Sequence, residues 1–126
     1  MKIIADTHTH TIASGHAYST LRENAAADAG LLFLASTDHT GQLPGAPNNI
    51  YFKNKEAFPK RLNGVHILYG CEVNIIDFAG GLDLPAEILA DLEWVIASFH
   101  TQVINREPRK TTQGPGLILP ETLMLM

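Results

Sequence analysis

Four short apolar runs divide the chain, and polar residues end or follow each of them. The runs occupy residues 2–5, 31–35, 65–74 and 94–99. An apolar run of this length, bounded by polar or turn-forming residues, is typical of a strand that is covered on both faces in a parallel sheet. The pattern therefore predicts four buried strands.

Helical signals lie between these strands, as parallel strand connections require. Residues 20–23, Thr-Leu-Arg-Glu, fit the capping box, with the threonine as N-cap and the glutamate reaching back to it. Gly30 is a natural stop for this first helix. Its apolar residues share one face at i, i+4 spacing: Leu21, Ala25 and Ala29. A second helix is predicted over 85–92, with Pro85 as its first residue. The alternation predicts an α/β fold.

Side chains that can bind a metal stand at the ends of all four predicted strands. Glu72 lies near the end of the third strand, and histidines follow the others: His8, His10, His39 and His100. In α/β barrels and open sheets, reactive groups gather where the C-terminal ends of parallel strands meet. With His16 from the first loop, we expect six candidate ligands at one edge.

The pair His8 and His10 is the densest part of this pattern. Side chains in a strand repeat with period two, so both imidazoles point to the same side. Two neutral imidazoles on one segment suit a borderline metal such as Zn²⁺. Asp6 and Thr7 could hold the rings in place. The alternative is a polar strand end that happens to carry two histidines.

Each of the other candidates also has an alternative. Glu72 lies in an apolar strand, where an unpaired carboxylate is costly, so a metal or a cationic partner is expected. Asp38 and His39 together could simply cap a turn. His100 could be hydrogen-bonded at the rim, and His16 could be exposed in its loop.

Turn-forming residues predict the connections around this edge. Glycines, prolines and asparagines place a loop at 41–49 and a turn or hairpin at 75–85. The segment 51–58 is ambiguous and is compatible with a short helix. We expect residues 41–58 to wall the mouth of the site and to contribute to the choice of substrate.

Composition narrows the class of protein. The chain has 126 residues, enough for one small domain but short for a full α/β barrel. The formal net charge of −4 disfavours nonspecific binding to nucleic acid. No apolar run reaches the ~20 residues that span a bilayer, and the N-terminus lacks the pattern of a signal peptide.

The remaining candidate residues have structural interpretations. Cys71 is the single cysteine, which excludes an internal disulfide and favours a reducing, cytoplasmic compartment. Its neighbour Glu72 would point to the opposite face, so Cys71 should be a small buried hydrophobe. His66 lies early in its strand, far from the mouth, and is expected to be structural.

Five motifs, taken in order, resemble those of the PHP (polymerase and histidinol phosphatase) family, especially the stand-alone phosphatases of the YcdX type. The resemblance covers roughly residues 1–105. Its motifs are His-Thr-His at 8–10, Ser-Gly-His-Ala-Tyr-Ser-Thr at 14–20, Thr-Asp-His at 37–39, Gly-Cys-Glu-Val-Asn at 70–74 and Ala-Ser-Phe-His at 97–100.

The resemblance implies a distorted (β/α)7, TIM-like barrel that binds up to three metal ions, usually zinc and sometimes manganese or iron. It implies that His8 and His10 bind one ion and that Glu72 bridges this ion to a second. His100 would join Glu72 on the second ion, and a third would bind His16 and His39. Asp6 and Asp38 would support these ligands.

The implied reaction is hydrolysis of a small phosphorylated substrate by a metal-activated water, without a protein nucleophile. A PHP exonuclease or proofreading module related to DNA polymerases is an alternative, and a non-catalytic metal-binding fragment is another. An amidohydrolase also begins with His-x-His, but Asp38, His39 and Glu72 fit the PHP pattern better.

The chain departs from the family in length and in its C-terminal part. The family's barrel needs about twice this length, and its later His-Pro and Asp-x-His ligand motifs are absent. We therefore predict a partial PHP domain at 1–107, with about four of the seven strands, and an irregular tail at 108–126. Such a domain should have an open sheet edge, available for oligomerisation, and weak or no turnover.

A frameshift near residue 108 could explain the tail. Residues 109–115 and 121–126, read in a shifted frame, can be coded to give strings that resemble the family's sequence before its His-Pro ligand. We predict that the downstream gene encodes the missing motifs in another frame, which sequencing of the gene would check.

Overall fold

The computed structural model describes residues 2–103 and the backbone of 123–125. Its strands are β1 (Ala5–Thr9), β2 (Phe33–Ser36), β3 (Arg61–Leu62), β4 (Val65–Asn74), β5 (Trp94–Ser98) and β6 (Leu123–Leu125). Its helices are α1 (Leu21–Ala27) and α2 (Ala86–Asp91), with 3₁₀ turns at Ile12–Ser14, Tyr51–Lys53 and Lys55–Ala57.

The strands form one curled sheet in the order β1-β2-β4-β5-β6, and every pair along this path is parallel. The short strand β3 pairs antiparallel with β4, beside the start of that strand. The sheet resembles half of a barrel with few helices, which confirms the predicted partial α/β fold. A seven-stranded parent barrel stays a prediction.

Strand β4 lies at the centre of this sheet and has the predicted bounds, 65–74. Its odd-numbered side chains share one face, and along the strand they belong to two hydrophobic clusters. Val65 and Ile67 pack in a cluster with Ala25 of α1, whereas Cys71 and Val73 pack in a cluster with α2 and β5. Cys71 is fully buried on the opposite face from the site, as predicted.

Gly70 allows β5 to approach β4. A Cβ atom at this position would lie 1.8 Å from the backbone oxygen of Trp94, the residue that pairs with Gly70 where β5 begins. Any larger residue would push the two strands apart. The register of β5, and with it the position of His100, depends on this glycine.

The first predicted strand is wrong in position. Residues 2–5 were expected to be a buried strand, but β1 begins at Ala5, and Ile3 and Ile4 are 73% and 50% exposed. Strand β2 also begins later than predicted, and Leu32 before it is 57% exposed. For β1 the reason is its position in the sheet, because it is the edge strand of the described sheet.

The helices begin largely as predicted and end earlier. Helix α1 has the predicted capping box, with Thr20 and Glu23 each bonded to the other's backbone N–H. It ends at Ala27, so Ala29 lies beyond the helix and is exposed rather than packed on its face. Helix α2 begins at Ala86, with Pro85 as N-cap rather than as first residue.

The connections follow the predicted loops. The ambiguous segment 51–58 forms the two 3₁₀ turns, and the turn at 75–85 closes with a bridge between Ile75 and Leu82. Strand β6 lies in the predicted irregular tail; 104–122 and 126, the rest of that prediction, lie outside the described residues. Within the described part of the chain, no helix is long and apolar enough to cross a membrane.

Candidate metal centre

The structure gathers the predicted ligands around Glu72. Its Oε2 atom lies 3.0 Å from His8 Nε2, 3.1 Å from His10 Nε2 and 3.3 Å from His39 Nδ1. Its Oε1 atom lies 3.6 Å from His100 Nε2. Four strands therefore bring these five side chains to one point at the C-terminal edge of the sheet. Their roles as ligands stay predictions.

Backbone pairing beyond the regular strands sets this arrangement. After β2 the chain continues beside β4, where Glu72 N–H donates to Asp38 O at 3.0 Å and Thr40 N–H donates to Glu72 O at 3.2 Å. His39 therefore lies opposite Glu72. On the other side, the register between β1 and β2 shifts between Asp6 and Thr9, just where His8 turns inward.

A close contact between two glycines positions His16. Gly15 has a φ of +79°, and a Cβ atom there would lie 2.4 Å from the backbone oxygen of Gly45. Only glycine tolerates both conditions, so the loops 11–19 and 41–49 can touch. This contact places His16 with its Nε2 atom 3.2 Å from His39 Nε2.

Glu72 is held as a carboxylate. The residue is 5% exposed, and burial by itself would raise the pKa of its carboxyl group. Hydrogen bonds to its oxygens, with Ser98 Oγ among the donors, outweigh burial and lower the pKa of Glu72 well below its usual range. A buried negative charge surrounded by imidazoles is a suitable place for a cation.

His39 has an unsatisfied nitrogen at this place. Its Nδ1 atom is buried and has no hydrogen-bond partner in the described structure, although Glu72 Oε2 is 3.3 Å away. Burial chiefly lowers the pKa of His39 to about 4; Glu72 opposes the shift, and His10, His100 and His16 add to it. The ring is therefore neutral at pH 7, and a neutral imidazole is the form that binds metals.

Two groups of side chains could each hold a metal ion, and Glu72 belongs to both. The first is His8, His10 and Glu72, and the second is His39, Glu72 and His100. Within each group the ligand atoms all lie within 4.8 Å of one another. Nitrogen and carboxylate donors suit zinc and similar divalent ions, so the residues fit the predicted metal. In the described residues, no third ligand joins the pair His16 and His39.

Asp38 supports this centre through other residues rather than directly. Its carboxylate accepts hydrogen bonds from Thr11 N–H at 2.6 Å, from Thr11 Oγ1 at 2.8 Å, and from Ser14 Oγ and Tyr51 OH at 2.7 Å each. Because the Ser14 hydroxyl donates to Asp38, its oxygen accepts from His10 Nδ1–H, 3.1 Å away. That bond leaves the lone pair of His10 Nε2 facing Glu72.

The predicted role of Asp6 differs from the geometry. Asp6 Oδ1 accepts the backbone N–H of His8 at 3.2 Å and shapes the strand end, whereas no hydrogen bond to a histidine ring is present among the described atoms. Sequence reasoning missed the small polar residues that do contact the cluster: Ser14, Asn74 and Ser98. The sequence indicates these residues only weakly, because they are polar residues at the ends of buried strands or beside the histidine-rich loop.

A cleft of about 310 Å³ opens beside the cluster. Its lining consists of His16, His39, Leu43, Pro44, His100 and Gln102. The predicted wall, 41–58, therefore contributes Leu43 and Pro44. No lysine or arginine is among the described residues that line this cleft.

The fold and the site define a partial α/β barrel with histidine and glutamate groups that could hold metal ions. No protein-family model matches the chain. Relatives named "probable phosphatase" are similar to it. The Clostridium novyi protein is 52% identical over 128 residues, covering 100% of the chain and 49% of the relative. That alignment includes the tail segment.

Two further relatives with this name cover less of the chain. The Aliivibrio fischeri protein is 51% identical over 105 residues, covering 82% of the chain and 42% of the relative. The Acetivibrio thermocellus protein is 54% identical over 102 residues, covering 79% of the chain and 42% of the relative. The chain spans about half the length, or less, of these curated relatives.

Proposed function

We propose that the chain carries the first part of the site of a metal-dependent phosphoesterase of the PHP family, similar to the YcdX-type stand-alone phosphatases. The observation that carries this proposal is that two groups of possible ligands share the single carboxylate of Glu72. A carboxylate has two oxygens and can therefore bridge two ions, an arrangement typical of phosphatases with paired metals.

The roles of the side chains follow from their positions. His8 and His10 would hold one ion with Glu72, and His39 and His100 would hold a second ion with it. The rings of His8, His10 and His39 face Glu72 Oε2, and the ring of His100 faces Oε1. His39 also faces His16 through its other nitrogen, so it could serve the third ion that the family resemblance implies. Zinc is the proposed metal, and manganese and iron have compatible ligand preferences.

The substrate is proposed to be a small phosphate monoester that binds in the cleft. Bound divalent ions would neutralise phosphate oxygens and lower the pKa of a water molecule towards ~7. The described chain offers no lysine or arginine at the cleft to take over that role. Binding of phosphate should therefore depend on the histidine cluster and on the metal it holds.

The first test is metal content and phosphate binding of the purified chain. We expect two or three zinc or manganese ions per chain by mass spectrometry, and broadening of the ³¹P signal of inorganic phosphate by the manganese-loaded protein. Both should be lost in Glu72→Gln and kept in His66→Ala, a histidine of the same strand outside the cluster. Protein without bound metal would contradict the proposal.

Turnover is a separate question, because the chain spans only about half of its relatives. We expect weak or no hydrolysis of p-nitrophenyl phosphate, since the family's later ligand motifs are absent. Measurable hydrolysis that disappears in His8→Ala would overturn this expectation while supporting the phosphatase assignment. Metal binding without any metal-dependent phosphate binding would instead favour a non-catalytic metal-binding fragment.

A further inference from the structure

His100 is hydrogen-bonded to Asn74, the last residue of the neighbouring strand β4. Its Nδ1 atom lies 2.7 Å from the side-chain oxygen, Oδ1, of Asn74. An amide oxygen only accepts hydrogen bonds, so this contact requires a proton on His100 Nδ1. Ser98 Oγ lies 3.5 Å from the same nitrogen and donates its own proton to Glu72, so it too can only accept there.

The orientation of the Asn74 amide is fixed by groups on its other side. Its Nδ2 atom donates to the backbone oxygen of Thr40 at 3.2 Å and to Asp83 Oδ2 at 2.6 Å. Both partners are acceptors only. A flipped amide would place an oxygen against these two oxygens and an N–H₂ group against the ring of His100.

Asp83 is the charged residue in the series of hydrogen bonds that links His100, Asn74 and Asp83. It lies in the connection between β4 and α2, and each of its oxygens accepts two hydrogen bonds. The donors are Thr40 Oγ1 and Asn74 N–H at Oδ1, and Gln42 N–H and Asn74 Nδ2 at Oδ2. Four donors require a carboxylate, because a neutral amide at this position would present an N–H₂ group to at least one pair of donors.

We propose that Asp83, acting through Asn74, is a positioning residue that holds His100 in the Nδ1–H form with the lone pair of Nε2 facing Glu72. The Nε2 atom lies 3.6 Å from Glu72 Oε1 and belongs to the second group of possible metal ligands. The use of this lone pair for a metal rests on the proposed function. The tautomer itself depends on the acceptors at Nδ1, chiefly Asn74 as Asp83 orients it.

The arrangement parallels the one at His10, where Asp38 acts through Ser14. In both cases a carboxylate holds a small polar group, and that group accepts the Nδ1–H of a histidine. Such partners orient metal-binding histidines, and their removal typically costs 10–100-fold in metal affinity. Asp83 would thus orient His100 on the β5 side of the cluster, as Asp38 orients His10 on the β1 side.

The test is the tautomer of His100 in metal-free protein labelled with ¹⁵N-histidine, at a pH where free histidine is neutral. Long-range ¹H–¹⁵N spectra distinguish the protonated from the unprotonated ring nitrogen, and His100→Gln assigns the signals. We expect a single Nδ1–H form. A wild-type ring protonated at Nε2 would overturn the proposal, whether or not the protein is a phosphatase.

Variants then test the role of Asp83. In Asp83→Asn we expect a mixture of tautomers at His100 and a 10–100-fold loss of zinc affinity. The matched control is Asp77→Asn, in the same connection, where the carboxylate caps Ala79 and Gly81 rather than Asn74. The control should keep the wild-type tautomer. An unchanged tautomer and zinc affinity in a folded Asp83→Asn protein would contradict the assignment.

Discussion

The apolar runs 65–74 and 2–5 have different surroundings, because the first forms β4 whereas the second mostly precedes β1. Strand β4 has parallel neighbours on both sides, and its last six residues are all buried. Strand β1 has one neighbour, its five residues are half-buried, and the isoleucines before it are exposed. An apolar run therefore indicates that a strand can be buried, whereas its place in the sheet determines whether it is.

The candidate site contains residues from both the central strand and the edge strand. Glu72 extends from the central strand, whereas His8 and His10 lie on the edge strand and just after it. Besides the pairing of β1 with β2, contacts from outside the sheet hold the edge side. Asn24 of α1 donates a hydrogen bond to the backbone oxygen of His10 at 2.9 Å, and Ser14 holds the ring. The cluster therefore joins a rigid half to a half that depends on its loops.

The largest expected effect is the loss of core packing in the centre. Ile67 is fully buried in β4 and Ile4 is half exposed before β1. Ile67→Ala should lower the free energy of unfolding by about 2–5 kcal/mol, because it leaves a cavity among fixed neighbours. Ile4→Ala should change it by less than about 0.5 kcal/mol. Urea unfolding of the two variants measures the difference.

A large effect of Ile4→Ala would mean that the edge is covered in solution. The predicted open sheet edge could then be paired with a second copy of the chain. Sedimentation of the wild-type protein over a range of concentrations separates the two cases. A monomer that is nevertheless destabilised as much by Ile4→Ala as by Ile67→Ala would contradict the comparison between the strands.

The reactivity of Cys71 reports on the central strand, because this residue lies beside Glu72 but faces the core. The thiol is fully buried, and burial, together with the carboxylates of Asp83 and Glu72, raises its pKa. Labelling by a thiol reagent should therefore require unfolding. Zinc at about 100 times its dissociation constant should slow labelling by roughly 100-fold, since binding stabilises the folded state by about 2.7 kcal/mol.

The control for this experiment is His8→Ala. This variant keeps the core around Cys71 but lacks a ligand of the first group, so zinc should protect the thiol less than in the wild-type protein. Equal protection in both proteins would mean that zinc binds elsewhere. Rapid labelling of the folded wild-type chain without zinc would mean that β4 is not a rigid centre of the sheet.

Particular residues show how far the sequence predicts this structure. The bounds of β4, the capping box at Thr20 and the meeting of Glu72 with the histidines follow from local patterns and from the rule that parallel strand ends share an edge. The exposure of Ile3 does not follow, because it depends on which strand is at the edge. The contacts of Asp83 do not follow either, because short polar side chains choose their partners only after the loops have packed.

The smallest of these effects concerns helix α1, which supports the edge side of the site. Thr20 accepts a hydrogen bond from Glu23 N–H, while α2 has no side-chain cap. Thr20→Ala should lower the free energy of unfolding by about 1 kcal/mol. Ser19→Ala, one residue earlier, removes a hydroxyl that takes no part in the cap and should have little effect. Thermal unfolding compares the two.

Thr20→Ala should affect zinc binding at the site more than it affects the packing of the core. Helix α1 carries Asn24, which binds the backbone of His10, so fraying of the first turn should loosen the edge half of the cluster. Zinc affinity should then fall in Thr20→Ala by more than in Ser19→Ala, while the labelling of Cys71 in the folded state stays slow. If the cap variant lost stability but kept its zinc affinity, the edge half of the site would be held by β1 and Ser14 without help from the helix.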